Sequence, residues 1–532
     1  MKKLYEKDSE NYIRKFFKEK NWQPLDFQIE AWDSYSRGES GIIQVPTGCG
    51  KTYAALMGPL LKLKEQNFSK GINILLVTPL KALSRDLKKS IINAIQFFDA
   101  NISVGIRNGD TSNYEKRKQI IKPPNILITT PESLTLLIAN KEANKLFSNL
   151  FSIIIDEWHE LMGCKRGNQC ELALSWLRGN NQNIQIWAMS ATIGNIEEAA
   201  SSILGLSYKQ PKIIKSNIVK SIEIKSVIPD KIGTFPWSGH LGIKSHKSLI
   251  KEIDKSKSTL IFTNTRNQSE RWFQCLRYFN PEMEDNIALH HGSLDKEDRK
   301  LVEEGVKEGS IKWVVCTSSL DLGVDFQPVD QIVQIGSAKN IGRLIQRAGR
   351  SAHKPGGISK ILFMPTNALE LLEVSAMRKL INKGITEKIN IPELSYDVLL
   401  QHLVTLACGP GFDPNIEKER IKNCLSYRNL KDEDWNWCLD FLEYGGRCLK
   451  AYPKYKKIEK NYEFNNKNNF KYIVKDKTLI RIHKFNIGTI TSDKSVIVKY
   501  IKGKSLGSLE ENFASKLKIG DTFFFAGKML EF

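Results

Sequence analysis

Val45-Pro46-Thr47-Gly48-Cys49-Gly50-Lys51-Thr52 decides how this chain folds. It follows a short apolar run, Gly41 to Val45, and opens a helix-forming run from Tyr53 to Lys64. A strand, a glycine turn and a helix in that order make a phosphate-binding loop. Glycines at 48 and 50 let the backbone approach an anion where a Cβ would clash. The helix N-terminus offers that anion unpaired N–H groups. In this reading Thr47, Gly48, Cys49 and Gly50 cradle the phosphates of ATP. Lys51 reaches the β- and γ-phosphates, and the Thr52 hydroxyl takes one position on Mg²⁺. The alternative is a chance glycine turn, and the rest of the chain bears on it.

The 532 residues leave room for three or four domains. No run of 18 or more apolar residues occurs, so no membrane span is expected. The start, Met1 to Lys7, has no apolar core of a secretory signal. The nine cysteines form no Cys-x-x-Cys pair, which argues against a zinc site or an iron–sulfur cluster. A reduced, cytoplasmic protein is the expectation. The formal charge of +20 suits a polyanionic partner and salt-sensitive association. A lysine-rich proteome would leave the same excess, and composition does not separate the two.

Around the loop, short apolar runs alternate with helical patterns at 41–45, 73–78, 125–129, 151–155 and 184–189. That alternation predicts a parallel sheet covered by helices, and such sheets bind ligands at the ends of their strands. Upstream, the Gln28 amide suits an adenine edge; a plain surface glutamine is the alternative. Ile153-Ile154-Ile155 delivers Asp156 to a strand end beside the loop, placed to hold Mg²⁺ through water, and Glu157 follows to polarise the attacking water. His159 is read as a coupling residue, or else a structural histidine, with Ser190 and Thr192 of Ser190-Ala191-Thr192 within its reach. Strand-end groups Thr78, Pro79, Lys81, Arg107 and Thr130 suit sugar–phosphate contacts, or else serve as helix caps.

A second alternating stretch follows at about 250–385, without a second phosphate loop. Its strand ends carry Thr263, Thr265, Arg266, Thr317 and Ser318, read as nucleic-acid contacts, and Asp325, read as a nucleotide contact. Then comes Gln346-Arg347-Ala348-Gly349-Arg350. Gln346, Arg347 and Arg350 are assigned to catalysis, the two arginines at i and i+3 on one helix facing a γ-phosphate. An arginine finger of this kind is worth roughly 10³–10⁵ in rate.

The set Gly48-Cys49-Gly50-Lys51-Thr52, Asp156-Glu157-Trp158-His159 and Ser190-Ala191-Thr192, with Gln346 to His353 behind it, resembles superfamily-2 DExH-box helicases. The ending at His353, with Asp156-Glu157-Trp158-His159 and Lys165-Arg166-Gly167, is similar to the Lhr (large helicase-related) family, and the helical piece after about 388, with Asp434 to Leu442 and Gly445 to Pro453, resembles the winged helix of its bacterial DNA-ligase-associated branch. The fold class this implies is α/β: two RecA-like parallel-sheet lobes, a winged helix and a partial β-rich domain. The expected boundaries are 1–205 and 206–387 for the lobes, 388–458 for the winged helix and 459–532 for the β-rich part. Trp435 and Trp437 are read as core. From about 470 the pattern turns to β, with a hairpin of 487–490 against 495–498. Phe523 to Phe532 reads as an apolar strand ending without a turn, which suggests a truncated chain. The resemblance implies an ATP- and Mg²⁺-dependent translocase on single-stranded or partly duplex DNA, or an RNA–DNA hybrid. It further implies 3′ to 5′ movement, a DNA-repair setting, DNA ligase or nuclease partners, and no membrane. The rivals are an RNA helicase and a nucleic-acid scaffold with a dead ATPase.

Overall fold

The computed structural model describes residues 9–46, 48–66, 70–98, 102–216, 221–228, 241–321, 329–351, 357–446, 455–463, 466–487, 495–501, 503 and 505–532. The chain divides into two compact units, 1–45 with 50–216 and 388–490, and 46–49 with 217–387 and 491–532. No helix among the described residues is long and apolar enough to cross a membrane.

The first unit is built on seven strands: β1 (Gly41–Gln44), β2 (Ile74–Val77), β3 (Val104–Arg107), β4 (Ile126–Thr129), β5 (Ser152–Ile155), β6 (Gln185–Ser190) and β7 (Lys212–Lys215). They lie in the order β3-β4-β2-β5-β6-β1-β7, and every neighbouring pair is parallel. β2, β4, β5 and β6 are buried along their whole length, as strands covered on both faces must be. The expected boundary at 205 falls short, because β7 pairs with β1 and belongs to this sheet.

Residues of the 388–490 stretch share this unit's core. Leu399, Leu403, Tyr427 and Trp435 are buried in one cluster with Trp158, Leu172 and Leu174. The contact surface is the Lys165–Asn180 helix. Its Asn168 donates to the Pro392 carbonyl at 2.8 Å and to Ser395 Oγ at 3.0 Å. Its Glu171 carboxylate receives the Ser426 hydroxyl and the Ser426 N–H. Truncating one such core leucine to alanine is worth about 2–5 kcal/mol. Trp435 is core as expected, but Trp437 is half exposed and stacks on Phe441. Both lie on the Asp432–Tyr444 helix, which buries its Trp435, Cys438 and Leu442 side instead. An antiparallel pair follows, β14 (Glu459–Glu463) with β15 (Asn466–Ile473). The stretch expected to turn fully to β then contains a helix, Lys477–Asn486.

The main sheet of the second unit has, among the described residues, six strands: β8 (Ile222–Ser226), β9 (Thr259–Phe262), β10 (Ile287–His290), β11 (Trp313–Cys316), β12 (Gln331–Ile335) and β13 (Ser359–Met364). Their order is β10-β11-β9-β12-β13-β8, again parallel throughout. Two hairpins from the chain's last residues complete it, β16 (Ser495–Lys499) with β17 (Ser505–Glu510) and β18 (Thr522–Phe525) with β19 (Lys528–Glu531). β16 therefore pairs with β17 and not with 487–490, of which 488–490 lie outside the described residues. The terminal apolar run is no single strand either. Ala526 and Gly527, with φ of 54° and 74°, turn it back on itself. Positive φ at both central residues is the turn geometry that matches strand twist in a two-residue hairpin. Glu270, on the Arg266–Phe279 helix, closes over that turn: its carboxylate accepts the N–H of Ala526 at 2.6 Å, the N–H of Gly527 at 2.7 Å and His291 Nε2 at 3.0 Å.

Candidate nucleotide and nucleic-acid sites

The phosphate loop leaves β1 and enters the Lys51–Glu65 helix. Gly48 and Gly50 both hold positive φ, 79° and 83°. At Gly50 a side chain is excluded twice, because a Cβ would also stand 2.7 Å from Gln28 Nε2. Gln28 itself is buried; its Nε2 donates to the Gly50 carbonyl at 3.0 Å and its Oε1 accepts the Leu25 N–H at 2.9 Å. Both ends of the amide expected at an adenine edge are thus engaged with the chain, tying the amide to the loop's geometry. Thr52 is half-buried at the start of the helix and Cys49 is likewise half-buried. Thr47 lies outside the described residues.

β5 and β6 deliver the remaining groups of this site. Lys51 is buried and pairs with the Glu157 carboxylate at 3.1 and 3.3 Å. Glu157 holds φ of 45°, a left-handed conformation that costs a non-glycine residue about 1–3 kcal/mol. The turn it makes carries His159 back toward β6. His159 Nδ1 accepts the Ala191 N–H at 3.1 Å and lies 3.2 Å from Ser190 Oγ. An accepting Nδ1 makes the ring neutral with its proton on Nε2, and burial lowers its pKa in the same sense. Thr192 is half-buried just beyond. Asp156 sits at the end of β5, fully enclosed; burial and then the Glu157 charge raise its pKa, while Lys51 lowers it. An acidic pair with one lysine between them is short of positive charge. A divalent cation at Asp156 and phosphate at Lys51 would both find partners there, so ATP and Mg²⁺ fit the donor set.

In the second unit Gln346 and Arg347 are buried near the end of the Ile341–Ala348 helix. Arg347 is 1% exposed. It donates to both oxygens of Asp321, at 2.7 and 3.1 Å, and to Gln334 Oε1. The two arginines do not share a helix as expected: the helix ends at Ala348, and Arg350 lies past Gly349. From there Arg350 donates to the Asp321 carbonyl oxygen at 2.8 and 3.3 Å. The physical reason is the ion pair, which draws Arg347 inward and leaves Arg350 as the more accessible of the two. Asp321 and Gln334 carried no role in the sequence reading. The one available signal was Asp321 within the polar run before Gly323. Asp325 and His353 lie outside the described residues.

The strand-end residues assigned to nucleic acid gather on adjacent strands, Arg107, Thr130 and Thr78 after β3, β4 and β2. Thr263 and Thr317 likewise follow neighbouring β9 and β11. Their side chains are not all available. Thr78, Thr130 and Thr263 are buried, and Thr263 Oγ1 donates to the Cys316 carbonyl at 3.2 Å. Thr265 caps the Arg266–Phe279 helix by accepting the Gln268 N–H. Arg107 donates to the Lys116 carbonyl at 2.9 Å, and Arg266 to Ser293 Oγ and the Ser508 carbonyl. Lys81 and Ser318 are exposed, Lys81 paired with Asp110 at 2.9 Å. Pro79 is buried, and its carbonyl accepts from Arg166 at 2.8 Å. Arg166 also pairs with Glu132, so it clamps two strand-end segments together, a role the sequence reading did not assign.

Family models match in three stretches: a DEAD/DEAH box helicase over 25–199, a helicase conserved C-terminal domain over 244–354, and the winged helix domain of large helicase-related protein over 379–532. The ATP-dependent helicase Lhr-Core protein 2 of Thermococcus barophilus is 33% identical over 93% of this chain and 59% of its own length. The ATP-dependent helicase Lhr-Core of Methanocaldococcus jannaschii is 33% identical over 98% of this chain and 62% of its own. This chain therefore spans about three fifths of the curated relatives it matches. The Mycobacterium smegmatis helicase Lhr, solved bound to ssDNA and AMP-PNP, superposes with a TM-score of 0.78 at 26% identity, over 91% of this chain and 62% of that one.

Proposed function

We propose, from the premise that this chain belongs to the Lhr family of superfamily-2 helicases, that it couples ATP hydrolysis to movement along single-stranded DNA. The observation that carries this is the meeting of the Lys51–Glu157 ion pair and the His159 contacts to Ser190 and Ala191 at the ends of β5 and β6, beside the phosphate loop. Lys51 exchanges its bond to Glu157 for a phosphate oxygen. The freed Glu157 carboxylate then orients the attacking water and accepts its proton at an Oε atom. Thr52 and Asp156 are the residues that would hold Mg²⁺, whose charge neutralises the phosphates. Arg350 supplies positive charge as the γ-phosphoryl group departs, with Arg347 and Gln346 behind it. His159 carries the state of Glu157 to Ser190 and Ala191. The domain pattern proposed is two RecA-like lobes, a winged helix and small terminal β elements. Movement 3′ to 5′, a DNA-repair setting and a cytoplasmic location follow from the family resemblance.

The test is the rate of ATP hydrolysis with single-stranded DNA, duplex DNA and RNA supplied separately. Stimulation by single-stranded DNA above the other two is expected. Stimulation by RNA alone would favour the RNA-helicase reading, and no turnover with any of them the scaffold reading.

A further inference from the structure

Lys165-Arg166-Gly167 opens the Lys165–Asn180 helix, and the proposed chemistry uses none of the three. Gly163 and Cys164 alone separate that helix from the short His159–Met162 helix, which starts just after Glu157. The two helices meet backbone to backbone. A Cβ at Gly167 would stand 2.3 Å from the Leu161 carbonyl oxygen, so only glycine fits. The Cys164 N–H donates to that same carbonyl at 3.1 Å, and the Gly167 N–H to the Cys164 carbonyl at 2.9 Å. Contact this close transmits a shift of the segment after Asp156 to the longer helix.

Arg166 stands at that start and reaches sideways along the sheet, in which β4, β2 and β5 are consecutive neighbours. It arrives from the β5 side. Its Nη2 donates to the Pro79 carbonyl, just past β2, at 2.8 Å. Its Nε pairs at 2.5 Å with Glu132, in the first turn of the Pro131–Ile138 helix that follows β4. Three residues on, buried Gln169 donates to Thr135 Oγ1 of that same helix at 3.1 Å. A guanidinium holds two acceptors in one plane, which an ammonium on a flexible stem does not. The two segments so joined carry Thr78, Lys81 and Thr130, read from the sequence as nucleic-acid contacts.

We propose that Arg166 is the positioning residue through which the nucleotide site of the first unit sets that unit's grip on nucleic acid. The inference rests on the proposed function for its two ligands. When a phosphate takes Lys51 from Glu157, the turn at Glu157 is released and the His159–Met162 helix moves with it. The Arg166 fork then carries the Pro79 and Glu132 segments together, so the ends of β2 and β4 shift as one surface. Such coupling is reciprocal: a strand held on those segments favours the nucleotide-bound turn to the same degree.

The experiment is the dissociation constant of the full chain for a fluorescein-labelled oligo(dT), read by anisotropy with and without AMP-PNP and Mg²⁺ at one salt concentration. The ratio of the two constants, larger over smaller, is the coupling. In the wild type it is expected between about 5 and 150, and Arg166→Ala and Glu132→Ala should each bring it to about one. The double change should bring it no further, because both act through one bond. Arg166→Lys keeps the charge, loses the fork and should not restore the ratio. Lys165→Ala removes the neighbouring charge from an exposed pair with Asp397 and should leave the ratio as in the wild type. A ratio of affinities does not depend on what fraction of the protein is folded, so lost stability alone leaves it unmoved. A wild-type ratio in Arg166→Ala, independent losses in the double change, or an equal loss in Lys165→Ala would overturn the inference, as would a ratio of one in the wild type. Oligo(dT) that fails to stimulate ATP hydrolysis by the wild type would sink the proposed function as well; stimulated hydrolysis beside an intact ratio in Arg166→Ala removes the inference alone.

Discussion

Lys51 in the first unit and Arg347 in the second are both buried cations bonded to a carboxylate, and they differ in how firmly. Lys51 makes a single-headed contact to Glu157, a residue itself held in strained backbone. Arg347 makes a two-pronged bond to Asp321 with Gln334 on its remaining edge, and its guanidinium lies 4.6 Å over the Phe262 ring. An ammonium is a point charge that rotates from one oxygen to another, whereas a guanidinium fork fixes its partner's plane. The first pair is built to be exchanged and the second to stay. Arg350, half-buried and donating to the Asp321 main-chain carbonyl, is the more accessible of the two arginines and the one proposed for chemistry.

The sharpest way to break that contrast is Arg350→Ala. Turnover should fall by about 10³ or more, with ATP affinity little changed, if its charge acts only in the transition state. An unchanged kcat would return the role to Arg347. Next comes Glu157→Gln, which keeps the shape and removes the charge. ATP should still bind, while single-turnover hydrolysis slows by about 10²–10⁴; full turnover would mean that water is activated elsewhere. Third, Arg347→Met strips buried Asp321 of its two-pronged partner, leaving Arg343 at 3.6 Å, and should cost about 3–5 kcal/mol in a denaturant titration. The double change with Asp321→Asn should recover part of that loss. A stable Arg347→Met protein with lost turnover would invert the comparison.

The smallest effect sharpens it with a buried carboxylate held mainly by hydrogen bonds. Glu171 receives Ser426, and burial pushes its pKa up to about 7 from an ordinary 4.5. The raised value means the fold favours the protonated acid. Stability is therefore full below the unfolded value and declines as pH rises from about 4.5 to 7, by at most on the order of 3 kcal/mol. Glu171→Gln should remove that slope from a thermal melt series between pH 5 and 7.5, and a slope that persists would place the proton on another group.

Most strands of the two sheets were legible because they are four- to six-residue apolar runs ended by a polar cluster, and burial on both faces leaves no other reading for Ile74–Val77 or Ser152–Ile155. The loop was legible because glycine at positions 48 and 50 answers a backbone need visible in the sequence. What escaped depends on partners far along the chain. Nothing near Arg347 announces Asp321, and nothing near Arg166 announces Glu132 and Pro79. β7 was missed because Lys212-Ile213-Ile214-Lys215 is short and flanked by charge, as an edge strand permits. Trp437 was misjudged because its neighbour Trp435 takes the buried face, and adjacent helix positions point some 100° apart. The terminal turn escaped because Ala526 is an unusual residue for positive φ.

That same turn can serve as a clock. Amide protons at the tip of a two-stranded hairpin ordinarily trade with solvent deuterium almost as fast as in an open chain. Those of Ala526 and Gly527 are instead capped by Glu270, so their exchange waits for the hairpin to lift from its helix. Two amides thus time the opening of the β18–β19 hairpin, and their lag, read with and without nucleotide or oligonucleotide, reports whether ligand binding reaches that far.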